Sequence, residues 1–139
     1  MTPEKIELVQ ASFAKVAPIS ALASDIFYDR LFAIAPDTRA LFPRDLSEQK
    51  KKLMQMLAVA VNGLKAPDAI IPAVQALGTR HAGYGVGHGH YDAVGAALLH
   101  TLEQGLGDAF TADVRAAWAD TYALLAGIMK EAQIAAKAA

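Results

Sequence analysis

Apolar residues recur along this chain at intervals of three and four. In "TPEKIELVQASFAKV", Ile6, Val9, Phe13 and Val16 fall at spacings of 3, 4 and 3, which makes one apolar stripe on a helix. Thr2 is placed to cap that helix, with Pro3 at its first position and Glu4 in its first turn. Pro18 separates it from a second helix, roughly 20–35, whose buried side should carry Leu22, Ile26, Phe27 and Leu31 and which Pro36 ends. "DTRALFPRDLS" reads as a turn-rich connector. Ser47 is placed to cap a third helix carrying Leu53, Met56, Leu57, Ala60, Val61 and Leu64, closed by Gly63 and "APD". "DAIIPAVQALGTRHAG" gives a short helix with Val74, Leu77 and His81 on one face. Asp92 can cap a helix running to about Gly105, with Val94, Leu98 and Leu102. Thr111 opens the last helix, whose stripe is Val114, Trp118, Tyr122, Leu125 and Met129. No segment reads as a strand of useful length. The pattern predicts one all-α domain over 1–139, with about six or seven helices.

Composition narrows the function classes. Hydrophobic residues make up 54% and charged residues 19%. That apolar excess implies extensive helix burial or an apolar ligand to be lined. The net charge is −1 and Lys50–Lys52 is the only basic block, so nucleic-acid binding has little electrostatic support. There is no cysteine. Disulfides, thiolate zinc sites, iron–sulfur clusters, a cysteine nucleophile and covalent CxxCH haem attachment are excluded. No apolar run approaches the roughly 20 residues of a membrane span, and "MTPEKIELVQ" has no signal-peptide character. A cytoplasmic protein with no membrane partner is expected.

The candidate chemistry gathers in "GTRHAGYGVGHGHYD". It holds three of the four histidines and five of the ten glycines. His81 shares a face with Val74, Leu77 and Gly78. It is either a hydrogen-bonded core residue or a ligand to a metal in an apolar pocket. Gly78, one turn earlier, would let a flat group approach the backbone. His88 and His90 could chelate with His100, but no carboxylate or thiol completes a zinc spacing, so they read as loop histidines. The glycines follow GxGxGxG, with no strand before them, which excludes a dinucleotide cradle. They predict a corner between helices with several left-handed positions. No GxSxG or inward carboxylate pair supports hydrolysis. In "FYDRLF", Tyr28 points partly inward and needs a hydroxyl partner. Gln49, one turn before Leu53, edges the interior.

Taken in order, "FYDRLFAIAPDTRALF", "EQKKKLMQML", "LGTRHAGYGV", "HYDAVGAALL" and "AAWADTYALLAGIM" resemble a single-domain bacterial globin. The likeness is to Vitreoscilla-type haemoglobins, the globin domain of flavohaemoglobins and neuroglobin-like bacterial globins, and it spans essentially the whole chain. It implies a globin fold around a non-covalent haem b, with His81 as the axial iron ligand. It implies Phe42, Leu53, Leu77, Val86, Tyr91, Val94 and Leu98 around the haem, and Tyr28 and Gln49 as the distal pair that stabilises bound ligand. The implied function is reversible O₂ binding or transport. The alternative is NO dioxygenation to nitrate with a separate cellular reductase, and a gas sensor ranks below both. The expected state is a monomer or weak homodimer. One departure stands out. Relatives place a late-helix glutamate beside the axial histidine and the tyrosine; an ungapped alignment from Trp118 puts Gln133 there, with Glu131 two residues away. A weaker proximal push on the iron follows.

Overall fold

A computed structural model describes residues 1–83 and 87–138. Those residues form six α-helices: α1 Pro3–Val16, α2 Ser20–Ile34, α3 Ser47–Asn62, α4 Pro67–Gly83, α5 His88–Leu106 and α6 Ala112–Ala138. Short 3-10 turns join several of them, at Ala17–Ile19, Pro36–Leu41 and Gly107–Ala109. No strand occurs among the described residues.

Most predicted boundaries follow from local chemistry. The Thr2 hydroxyl accepts from the Lys5 N–H at 3.3 Å, and the Thr111 hydroxyl accepts from the Val114 N–H at 3.2 Å. α3 begins at Ser47, but Asp45 is the acceptor there, taking both the Ser47 N–H at 2.9 Å and its hydroxyl at 2.7 Å. α5 begins at His88, not at Asp92. The side chain of His90 makes that possible: its Nδ1 accepts from the Gly87 N–H at 3.0 Å, satisfying a donor at the helix entrance. His88 and His90 therefore lie in the first turn of a helix rather than in a loop. Gly85, at the centre of the predicted corner, lies outside the described residues; among these, Gly107 has a positive φ, at 57°.

The core sits where α1, α2, α5 and α6 converge. Val9, Phe13 and Val16 face Phe27, Leu31, Leu102 and Trp118. The inward face of α2 carries Phe27 and Leu31 as the pattern predicted, with Ala23 in place of Leu22, which is exposed, and Ile26 only half-buried. Trp118 is fully buried, and its Nε1–H donates to the Ser12 hydroxyl at 2.8 Å. By length and composition, Pro3–Ile34 would suffice to cross a membrane. Here Pro18 interrupts it, and Val9, Phe13, Phe27 and Leu31 are spent on the core.

Two glycines set the helix spacing. A Cβ on Gly78 of α4 would lie 2.4 Å from the carbonyl oxygen of Met129 in α6. α4 and α6 thus meet backbone to backbone, and Gly78 serves that contact rather than the approach of a flat ligand. A Cβ on Gly63 would meet the Ile70 side chain at 2.1 Å, so the turn from α3 to α4 closes only around glycine.

Candidate functional site: an apolar cavity with one histidine on its wall

Helices α3 to α6, with Phe27 of α2, leave a gap that their side chains do not fill. The cavity measures about 150 Å³, and about 840 Å³ when the open space at its mouth is counted. α3 presents Leu53, Met56 and Leu57, α4 presents Val74, Leu77 and His81, α5 presents Val94 and Leu98, and α6 presents Trp118, Tyr122, Leu125 and Met129. Each set is the apolar stripe of its helix. The sequence assigned Leu53, Leu77, His81, Val94 and Leu98 to the site, and all five are on this wall. It did not assign Tyr122, Leu125 or Met129, although the α6 stripe that carries them was visible.

Among the described residues lining the cavity, His81 is the only imidazole. Its Nδ1 lies 2.7 Å from the Leu77 carbonyl oxygen one turn earlier. A carbonyl only accepts, so Nδ1 carries the proton and donates. The tautomer is thereby fixed with its lone pair on Nε2, the form needed to ligate a metal. No group of three or more histidines, cysteines or carboxylates able to hold a metal occurs among the described residues. A metal here would have to come within a larger group that supplies its other ligands.

Behind His81 lies a buried polar set. The Tyr91 ring stands 6.2 Å from the His81 ring, tilted by 42°. The Tyr91 hydroxyl donates to Gln133 Oε1 at 2.8 Å, and Gln133 is 0% exposed. Gln133, not the exposed Glu131, occupies the position behind the tyrosine. The Tyr122 hydroxyl donates to the Tyr91 carbonyl at 2.5 Å, and the Lys130 ammonium lies 5.4 Å from the Tyr91 ring centre. Burial raises the pKa of both phenols above the ordinary value. Both therefore stay protonated as donors at neutral pH.

Tyr28, Gln49 and Phe42 come together on the other side, next to the wall rather than on it. Tyr28 is buried, with Phe27 edge-on at 5.0 Å and Phe42 edge-on at 5.5 Å. Burial raises the pKa of its phenol, and a hydrogen bond with the Gln49 side chain works against that. Phe27 and Leu53, which do face the cavity, are the chain neighbour and the helical-turn neighbour of this pair. Val86 lies outside the described residues. His90 Nε2 lies 2.8 Å from Asp37 in the Pro36–Leu41 turn. Because its Nδ1 already accepts from Gly87, Nε2 is the donor to that carboxylate, and the contact holds the Asp37 carboxyl below its usual range.

The globin family model matches residues 25–129, a span that includes every assigned site residue. The flavohemoprotein of Bacillus subtilis is 31% identical over 127 residues, covering 87% of this chain and 31% of its own length. The flavohemoprotein of Xylella fastidiosa strain Temecula1 is 28% identical over 134 residues, covering 94% of this chain and 33% of its own. The chain thus spans about a third of the length of the curated relatives it matches. Among solved structures, it is similar to an engineered carbene transferase made from RmaNOD of Rhodothermus marinus, a protein described as a nitric oxide dioxygenase. The TM-score is 0.89 at 28% identity, covering 99% of this chain and 96% of that one.

Proposed function

Because this chain belongs to the globin family, we propose that it holds a haem in the α3–α6 cavity and binds O₂ reversibly there. The observation that carries this reading is His81: one imidazole on an otherwise apolar wall, turned by the Leu77 carbonyl so that Nε2 holds the lone pair. The residues fit the group. A flat, largely apolar macrocycle suits walls of Leu, Val, Met and Phe, and it brings the ring nitrogens that complete the coordination of a single imidazole. We take the cofactor to be a non-covalent haem b, since the chain has no cysteine for attachment. When bound, haem supplies an iron that takes up diatomic gases.

The chain's own residues do the rest. His81 would hold the iron through Nε2, with its Nδ1–H kept on the Leu77 carbonyl. Tyr91, bonded to the neutral Gln133, packs next to the His81 ring and limits its rotation. An amide in that position adds no negative charge behind the imidazole, so the push on the iron is weak, which suits holding a gas better than cleaving it. On the far side, Tyr28 and Gln49 have an O–H and an amide N–H to offer to a polar ligand. In a dry pocket such a bond is worth more than at the surface. Leu53, Leu57 and Leu98 keep water out.

A second reading, NO dioxygenation with electrons from a separate reductase, draws on the description of the RmaNOD neighbour. Stopped-flow mixing of the oxygenated protein with NO, with and without a reductase, separates the two. Reversible oxygenation with one NO turnover followed by arrest supports the O₂ binder. Sustained NO consumption with a cellular reductase supports the enzyme.

A further inference from the structure

Arg39 stands in the Pro36–Leu41 turn, half-buried, and takes part in none of the ion pairs found among the described residues. Its donors go to the backbone instead. Nη1 donates to the carbonyl of Pro43 at 3.0 Å and, at a longer 3.4 Å, to that of Phe42; Nη2 donates to the carbonyl of Arg44 at 3.0 Å. Its guanidinium also lies over the Phe32 ring, 5.3 Å from the centroid. A planar fork can reach successive carbonyls and stack on a ring at the same time, which an ammonium cannot.

The segment it holds is otherwise loosely tied. The Phe42 N–H closes the 3-10 turn on the Arg39 carbonyl at 3.2 Å. Pro43 has no N–H. The next helical bond is from Lys50 N–H to the Leu46 carbonyl. Between them, the Arg39 fork holds residues 42–44, and the Asp45–Ser47 bonds take over at the entrance of α3. The backbone path decides where the Phe42 ring sits. Phe42 packs against Tyr28 at 5.5 Å and against Phe32 at 5.8 Å, and Phe32 is 5.9 Å from Tyr28. Arg39 therefore holds the backbone just after Phe42 by the Pro43 and Arg44 carbonyls and Phe32 by its face, and both rings bear on Tyr28.

We propose that Arg39 is a positioning residue for gas binding: through Phe42 and Phe32 it sets the direction in which the Tyr28 hydroxyl points. This inference rests on the haem-and-gas reading above. It differs from a purely structural role, in which Arg39 would stabilise the loop and leave the ligand's surroundings alone.

The test uses the full chain reconstituted with haemin and reduced. O₂ dissociation is timed by stopped flow, and the Fe–CO stretching band, which reports polar contacts to the ligand, is read by resonance Raman. Tyr28→Phe should speed O₂ loss about tenfold, Arg39→Gln by about 3- to 10-fold, the range of one hydrogen bond. Arg39→Lys should fall between wild type and Arg39→Gln, and Arg39→Gln should add little on a Tyr28→Phe background. The Fe–CO band of Arg39→Gln should move towards that of Tyr28→Phe. If Arg39→Gln lowers only the melting temperature and keeps the wild-type rate and band while Tyr28→Phe changes both, the positioning role is overturned and the gas reading stands. If Tyr28→Phe changes neither, the distal reading fails and this inference fails with it. Should Arg39→Gln not fold, Arg39→Lys with a wild-type rate and band is the overturning result.

Discussion

The Tyr91 hydroxyl donates to Oε1 of Gln133 across 2.8 Å, joining α5 to the C-terminal half of α6 inside the protein. Gln133 has no exposed surface. Leucine at 133 would leave a buried phenol without that acceptor, so Gln133→Leu should cost about 1–3 kcal/mol in chemical denaturation. Tyr91→Phe removes the donor and should cost a similar amount. The double variant Tyr91→Phe with Gln133→Leu should lose clearly less than the sum of the two, because both single changes break the same bond. Additive losses would show that the pair is not coupled.

Gly78 and Gly89 form a matched contrast. A Cβ at 78 would run into the Met129 backbone at 2.4 Å, where no side chain can turn aside, whereas a Cβ at 89 meets nothing within 4 Å. Gly78→Ala should force α4 from α6 and destabilise by about 1–3 kcal/mol. Gly89→Ala, in the first turn of α5, should be neutral or stabilising by up to about 1 kcal/mol through helix propensity. Urea unfolding of both variants measures the difference. Equal effects would mean that the α4–α6 contact is looser than described.

The bond from His90 to Asp37 has a pH signature. The folded-state pKa of Asp37 is depressed, chiefly by that bond. A depressed carboxylate contributes stability above its unfolded pKa of about 3.9 and loses it as pH falls through the folded value. Asp37→Asn should therefore be less stable than wild type at pH 5–6, with the gap closing as pH falls below the unfolded value of about 3.9 and through the depressed folded one. A gap that is constant from pH 3 to pH 6 would assign the effect to packing rather than to the charge.

Most helices were legible in the sequence because their apolar residues recur with a clear helical period, and five of the assigned site residues lie on the cavity wall for the same reason. Four features were harder to read. The entrance of α5 depends on the His90 imidazole reaching back to Gly87, so the usual cap at Asp92 was the wrong signal. The role of Gly78 depends on a partner helix some fifty residues away in sequence, and no local pattern reports that. The choice between Gln133 and Glu131 stayed open, yet the α6 stripe of Trp118, Tyr122, Leu125 and Met129 continues by one further turn to Gln133. Nothing in the sequence singled out Arg39, because its three acceptors are backbone carbonyls that carry no sequence signature.

The central claim is that His81 holds a haem iron in the α3–α6 cavity. His81→Gly leaves a gap on that wall which free imidazole can enter. Haemin titration and the ferrous absorption spectrum of His81→Gly, with and without added imidazole, test the claim directly. The account predicts an altered spectrum and faster haem loss without imidazole, and recovery of the wild-type spectrum with it. An unchanged ferrous spectrum and unchanged haem retention in His81→Gly alone would contradict it.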